Sequence, residues 1–253
     1  MFREGMSLDE ILQIEVPEDR VDRLKELVQF DIPGIDEEVE RFLLKQQIQF
    51  VNIQYARFLA GVKFTEDDVD DLMQNAIDCH AHGGSDPFIR LLLEDDIAID
   101  YSKEHMRAVV FKTWFTPSAS RIQLVQKYLN QWVEQNETRP VEIFGGITLN
   151  QSVGGINPNA VQRCLGFPGF KYVWMPMVDS YHHRRVVYDD WSGEGLRIVD
   201  DKGRCLMEMS EVLRGAADND LIVASGHFPY VEHRAVFEEA KRLGVKRMEI
   251  IHP

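Results

Sequence analysis

Cysteine and long apolar runs are scarce in this sequence of 253 residues. Its three cysteines, Cys79, Cys164 and Cys205, are widely spaced and form no C-x-x-C pair, which argues against a thiolate zinc site and against a disulfide framework. The N-terminus lacks the apolar segment of a signal peptide. A run of about eighteen apolar residues, which a helix needs to span a bilayer, does not occur in the sequence. We therefore expect a soluble protein of the reducing cytoplasm.

Basic residues are fewer than acidic residues in this sequence. The chain has 28 Lys and Arg against 42 Asp and Glu, a formal net charge of −14. A field of this sign repels the phosphate backbone of nucleic acids and the surface of anionic membranes. Nucleic acid and membrane are therefore excluded as expected partners, which leaves a small-molecule substrate.

The negative charge is concentrated in the first part of the chain. Residues 1–75 hold 8 Lys and Arg against 18 Asp and Glu, a net of −10. Pro17 suits the first turn of an amphipathic helix, Pro33 breaks the chain after it, and a second predicted helix ends at Gly61. We expect residues 1–75 to be an acidic helical extension that packs on the main domain or on a second subunit of a homo-oligomer. The alternative is a regulatory or partner-binding role.

From residue 76 onward, short apolar segments alternate with stretches that have helical periodicity. This alternation is typical of βαβ units with a parallel sheet. An inserted β-hairpin is predicted at about 196–207, around Asp200–Gly203. The predicted strands cover residues 76–79, 108–111, 141–146, 172–177, 221–225 and 247–251.

Helix signals punctuate the segments between these strands. Ser118 or Ser120 is expected to cap a helix over residues 121–135. Asn157, followed by proline, is expected to begin a short helix, and Pro229 to begin another. The fold class predicted for residues 76–253 is therefore α/β.

Histidines occupy the end of the first predicted strand. Asp78, His80 and His82 alternate along it, so their side chains share one face, and two imidazoles in this spacing can reach a single metal at about 2.0–2.1 Å. His227 and His252 follow the fifth and sixth predicted strands. Parallel α/β folds bind ligands at the carboxyl ends of their strands. A lone histidine is most often structural, but four in the same topological position predict a metal site.

Three further residues are candidates for substrate contact or catalysis. Lys112 follows the second strand, where a lysine in a partly apolar setting can lose its proton, accept CO₂ or bind an anionic substrate. His182 and His183 lie in the loop after the fourth strand and are candidate substrate or metal contacts. His105 and His233 fall away from strand ends and are expected to be structural.

Together these motifs resemble the amidohydrolase superfamily. The resemblance covers roughly residues 70–253 and is closest to uncharacterised amidohydrolase-like proteins. It implies a TIM-type (β/α)₈ barrel that binds one or two divalent metals. The implied ligands are His80, His82, His227 and His252, with Asp78 on the same face as a substrate contact.

The chain departs from that superfamily in two respects. Many members place a carboxylated lysine on the fourth strand, whereas the suitable lysine of this chain, Lys112, follows the second. The superfamily aspartate of the eighth strand, which orients the attacking water, has no counterpart because six βα units are visible. We therefore expect an incomplete barrel that belongs to a longer protein, with an intact smaller barrel as the alternative.

The function predicted from these residues is metal-dependent hydrolysis of a C–N, C–O or similar bond in a small molecule. Zinc is the first expectation for a histidine-rich site, with manganese, nickel or iron as alternatives because imidazole binds each of them. Such a metal lowers the pKa of water toward about 7 and polarises the bond under attack. The alternatives are a metal-dependent decarboxylase of the same fold and a non-catalytic protein that binds metal or ligand.

Overall fold

The computed structural model describes residues 73–88 and 90–251. They belong to the second of the two units into which the chain divides, residues 73–253. The predicted helical extension over residues 1–75 therefore lies almost entirely outside the described residues, and so does His252.

The described residues form one sheet of six strands in the order β1-β2-β3-β4-β5-β6, and each neighbouring pair is parallel. The predicted parallel α/β sheet is thus confirmed, and it curls into a half-barrel. Within the described residues, β1 and β6 do not pair with each other. The strands are β1 Ile77–Ala81, β2 Ala108–Phe111, β3 Glu142–Thr148, β4 Phe170–Trp174, β5 Ile222–Ala224 and β6 Arg247–Glu249.

Helices connect successive strands, as parallel pairing requires. Two of the predicted helix starts are confirmed: Asn157 accepts a hydrogen bond from the amide of Ala160, and Pro229 precedes the last helix. The helices are α1 Glu94–Lys103, α2 Ile122–Asn136, α3 Pro158–Cys164, α4 Tyr181–Val187, α5 Met207–Asp218 and α6 Tyr230–Arg242. Among the described residues, no helix has the length and apolar character needed to cross a membrane.

The predicted serine cap of α2 is wrong. Arg121 is the residue before the helix, and it makes no side-chain capping bond. The Ser118 hydroxyl donates instead to the carbonyl of Phe111 at 2.6 Å and accepts from the amide of Gly146 at 2.9 Å. Ser118 is fully buried, so its hydroxyl satisfies backbone groups of β2 and β3 rather than the first turn of α2.

Residues 196–207, predicted as a β-hairpin, contain a single antiparallel bridge between Val199 and Cys205. The turn between them closes with a bond from the Gly203 amide to the Asp200 carbonyl at 2.8 Å. This segment therefore makes one tight turn, and the residues on either side of the turn do not form β-strands.

Both faces of the sheet are covered with apolar side chains. Along β2, Val109 and Phe111 pack beneath α1 and α2, whereas Val110 belongs to a separate cluster with Tyr172 and Trp174 on the opposite face. This alternation follows from the two-residue period of a strand. Because the strands are buried on both faces, they form nearly continuous apolar runs in the sequence.

Candidate active site

The carboxyl ends of β1, β2 and β5 bring several predicted site residues to one edge of the sheet. His80 is the fourth residue of β1, and His82 follows its last residue. Lys112 follows β2, and His227 comes three residues after β5. Since neighbouring strands are parallel, these residues share the edge at which α/β folds place their ligands.

His82 is held in a defined orientation by main chain. Its Nδ1 lies 2.8 Å from the carbonyl oxygen of Lys112. A carbonyl oxygen can only accept, so Nδ1 carries the hydrogen, and the neutral ring has its lone pair on Nε2. The ring centroid of His80 lies 5.0 Å away, so the two imidazoles of the His-x-His motif are direct neighbours.

Lys112 is fully buried, although lysine is among the residues most often exposed. Its Nζ lies 3.2 Å from Nε2 of His80 and 5.6 Å from the centre of the Trp174 ring. Burial lowers the pKa of Lys112 from 10.5 to about 7, with a smaller opposing attraction from Glu249. The amine therefore changes charge near neutral pH, in contact with a candidate metal ligand.

His227 is paired with His183 of α4. Their Nδ1 atoms are 2.8 Å apart, and their rings stack with centroids 4.7 Å apart at 22°. Burial also lowers the pKa of His183. Both histidines predicted in the loop after β4 lie in the first turn of α4, because Ser180 caps the helix directly before them. Of the two, His183 is the one with a hydrogen-bond contact to His227.

The main chain around His227 is fixed by three contacts. Its amide donates to the Pro176 carbonyl at 3.1 Å, and its carbonyl accepts from the buried Ser180 hydroxyl at 2.6 Å. The preceding amide, of Gly226, donates to Nε2 of His233 at 3.1 Å. Since that nitrogen accepts, His233 is neutral there, consistent with the burial that lowers its pKa.

Trp114 lies between the two histidine pairs and was not singled out by the sequence patterns. Its ring meets His82 edge-on at 6.0 Å and His227 edge-on at 6.4 Å. Phe88 packs against its other side at 4.8 Å, and the guanidinium of Arg90 lies 5.8 Å from the centre of the Trp114 ring. The indole nitrogen of Trp114 is buried without a hydrogen-bond partner among the described residues.

Asp78, the predicted substrate contact, is engaged in structural hydrogen bonds. One carboxylate oxygen accepts from the amide of His80 at 2.8 Å, and the other accepts from the hydroxyl of Tyr101 at 2.6 Å. Burial raises the pKa of Tyr101, and the hydrogen bond to the Asp78 carboxylate raises it further. Asp78 therefore links the histidine strand to α1.

The loop after His82 lies close to the first residue of α1, and that residue is itself held by a charged partner. Gly83 has no side chain where a Cβ would lie 2.8 Å from the Glu94 side chain. Glu94, itself buried, accepts two bonds from the Arg121 guanidinium, at 2.7 and 2.6 Å. Burial raises the pKa of Glu94 in spite of this partner.

Within residues 73–88 and 90–251, no group of three or more His, Cys, Asp or Glu is arranged to hold a metal ion. Two histidine pairs are present instead, His80 with His82 and His183 with His227. The predicted ligands His80, His82 and His227 each have further interactions besides these pairings. The convergence of four histidines stays a prediction, because His252 lies outside the described residues. A groove of about 650 Å³ lies elsewhere, between α2 and the start of β3.

A comparison with protein families matches residues 75–253, and the matching family is described as a family of unknown function, DUF6282. The chain belongs to this family. No curated protein and no solved structure matches the chain. The DUF6282 region includes every candidate site residue described above.

Proposed function

We propose that this chain is a metal-dependent hydrolase of the amidohydrolase type, acting on a C–N, C–O or similar bond of a small molecule. The observation that carries the proposal is the bond from His82 Nδ1 to the Lys112 carbonyl. Histidines that bind metal commonly donate their second ring nitrogen to a carbonyl or carboxylate, which fixes the tautomer and turns the other nitrogen toward the metal. A TIM-type (β/α) barrel, to which the described sheet contributes six parallel strands, is the architecture that we propose around this site.

The donor chemistry of the described residues fits a divalent cation. His80 and His82 would hold it, with His227 and His252 as further ligands. Neutral imidazoles suit zinc and also accept manganese, nickel or iron. When bound, such a cation would supply Lewis acidity, lowering the pKa of water toward about 7 and polarising the oxygen of the bond under attack.

The surrounding residues of the chain would bind and orient the substrate. Lys112 lies beside His80, where its charged form would bind an anionic substrate oxygen and its neutral form would accept CO₂ as a carbamate. Trp114 and Phe88 form an apolar wall next to His82, which would limit the access of bulk water. Arg90 is held over this wall by Asp86, at 2.9 Å.

Elemental analysis of the purified protein tests the proposal. We expect about one or two equivalents of zinc or another divalent metal in the wild type, and loss of most of it in the double variant His80→Asn/His82→Asn. His105→Asn is the matched control, since His105 is exposed and away from the strand ends. A wild-type protein free of bound metal after exposure to zinc, manganese, nickel and iron would contradict the proposal.

The same preparation separates the rival functions. Hydrolysis of a member of an ester, lactone and amide panel, abolished by chelation, supports the hydrolase. Release of CO₂ from a carboxylated substrate would indicate a decarboxylase instead. Stable metal without turnover of either kind would indicate a binding protein.

A further inference from the structure

The contact between His183 and His227 restricts where their protons can lie. The two Nδ1 atoms are 2.8 Å apart, which is hydrogen-bond distance, so one of them carries the hydrogen and the other accepts it. If His227 accepts at Nδ1, its own hydrogen lies on Nε2, and the neutral ring has no lone pair left for a metal. If His227 donates, its lone pair lies on Nε2.

The same serine side chain holds the backbone of both histidines. The Ser180 hydroxyl accepts from the amide of His183 at 3.0 Å and donates to the carbonyl of His227 at 2.6 Å, and Ser180 is fully buried. Tyr188 packs edge-on against the other side of the His183 ring, with centroids 5.0 Å apart at 81°. The relative placement of the two imidazoles is therefore fixed by hydrogen bonds and packing on both partners.

We infer that His183 is a positioning residue, which accepts a hydrogen bond from Nδ1 of His227 and so presents Nε2 of His227 to a metal. This inference rests on the proposed function for the direction of the hydrogen bond. It assigns His183 a role different from the substrate contact predicted from the sequence. It also distinguishes His183, which contacts His227, from the adjacent His182.

Two substitutions at position 183 separate the hydrogen bond from mere packing. In His183→Asn, the side-chain amide oxygen lies close to the place of Nδ1 and can still accept from His227, whereas His183→Leu keeps apolar volume and removes the acceptor. We expect the affinity for Zn²⁺, measured by competition with a chromophoric chelator, to fall about 10- to 100-fold in His183→Leu. His183→Asn should recover most of this loss, and His105→Asn should leave the affinity unchanged.

Nitrogen NMR of ¹⁵N-histidine-labelled protein gives a second readout that needs no activity. In metal-free wild type we expect His227 to carry its hydrogen on Nδ1 and His183 on Nε2. In His183→Leu, His227 should lose this single tautomer. With ¹¹³Cd²⁺ bound, we expect scalar coupling to Nε2 of His227 and none to His183.

Three results would overturn the inference: a hydrogen on Nε2 of His227 in the metal-free protein, cadmium coupling to His183, or unchanged zinc affinity in His183→Leu. Failure of the proposed function looks different. In that case the wild type binds neither Zn²⁺ nor Cd²⁺, and the tautomers of the metal-free protein still decide whether His183 fixes His227.

Discussion

Lys112 has no solvent exposure and no carboxylate within hydrogen-bonding distance among its described contacts, which are His80, Met177 and the Trp174 ring. Its pKa falls to about 7 because burial disfavours the charged amine. In the unfolded chain the same amine has its ordinary pKa of 10.5. Between these two values, unfolding takes up a proton, so the free energy of unfolding rises with pH across this window. Below pH 7 the amine is charged in both states, and the full cost of burying it is present.

Replacing this amine by an isosteric apolar group should therefore stabilise the fold most at low pH. We expect Lys112→Met, studied with chelator present, to have a higher free energy of unfolding than the wild type at pH 6, by up to about 5 kcal/mol. The difference should shrink by roughly 3 kcal/mol on going to pH 9.5. Urea denaturation at several pH values measures it, with the exposed Lys127→Met as control. Parallel stability curves for Lys112→Met and the wild type would contradict the shift.

At the scale of single residues, the sequence predicted positions more readily than contacts. His80, His82 and Lys112 could be placed because each follows from the period of a strand and the point at which it ends. The pairing of His183 with His227 could not, since it depends on the path of the loop between β4 and α4. Trp114 gives no signal of this kind in the sequence, because its contacts with His82 and His227 are set by tertiary structure. Ser180 carried a usable signal, because a serine before a helix is a typical N-cap.

Among the structural elements, the turn from β5 to α6 is the one that leaves least room for change. A Cβ on Gly226 would lie 2.2 Å from the carbonyl oxygen of Pro176, to which the next amide, of His227, is also bonded. The Pro176 oxygen and the His227 nitrogen that is bonded to it belong to the main chain. Neither can therefore move away as the end of a flexible side chain could. The absence of a side chain at position 226 is thus a condition for placing His227.

We expect Gly226→Ala to lower the free energy of unfolding by about 3 kcal/mol or more, because it forces two backbone segments apart. Gly215→Ala is a matched control within α5, where a Cβ would meet no atom within 4 Å. That change should raise the free energy of unfolding by roughly 0.5–1 kcal/mol, since alanine favours a helix over glycine. Chemical denaturation of both variants measures the difference, and equal effects of the two would refute the argument.

The strands and helices themselves were largely predictable, and the exceptions have physical causes. All six strands could be located because burial on both faces gives apolar runs between turn signals. The cap at Ser118 could not be assigned, because the serine hydroxyl had two buried backbone partners in the sheet that no local pattern reveals. Whether the first and last strands of such a sheet pair with each other depends on contacts far apart in sequence, so periodicity alone does not decide it.

At the scale of the whole molecule, the chain changes character close to the point where the described structure begins. The formal net charge is −10 over residues 1–75 and −4 over the remainder. The division into two units falls after residue 72, and the family match begins at residue 75. The three apolar clusters of the described structure draw their buried side chains from residues 81–251. The buried side chains described in these clusters all belong to the second unit.

From this we predict that residues 73–253, produced without the preceding 72, unfold in a single cooperative transition. The main term favouring a folded state is burial of apolar surface, and the buried side chains described in the three clusters lie in this unit. Thermal melts followed by far-UV and near-UV circular dichroism measure the cooperativity, and amide exchange should show the strongest protection in β2, β3 and β4. A transition that is broad in the far-UV and absent in the near-UV would mean that specific packing needs the first 72 residues. The acidic segment would then be part of the folding unit of the sheet, and its retention would be required in every measurement of metal affinity proposed above.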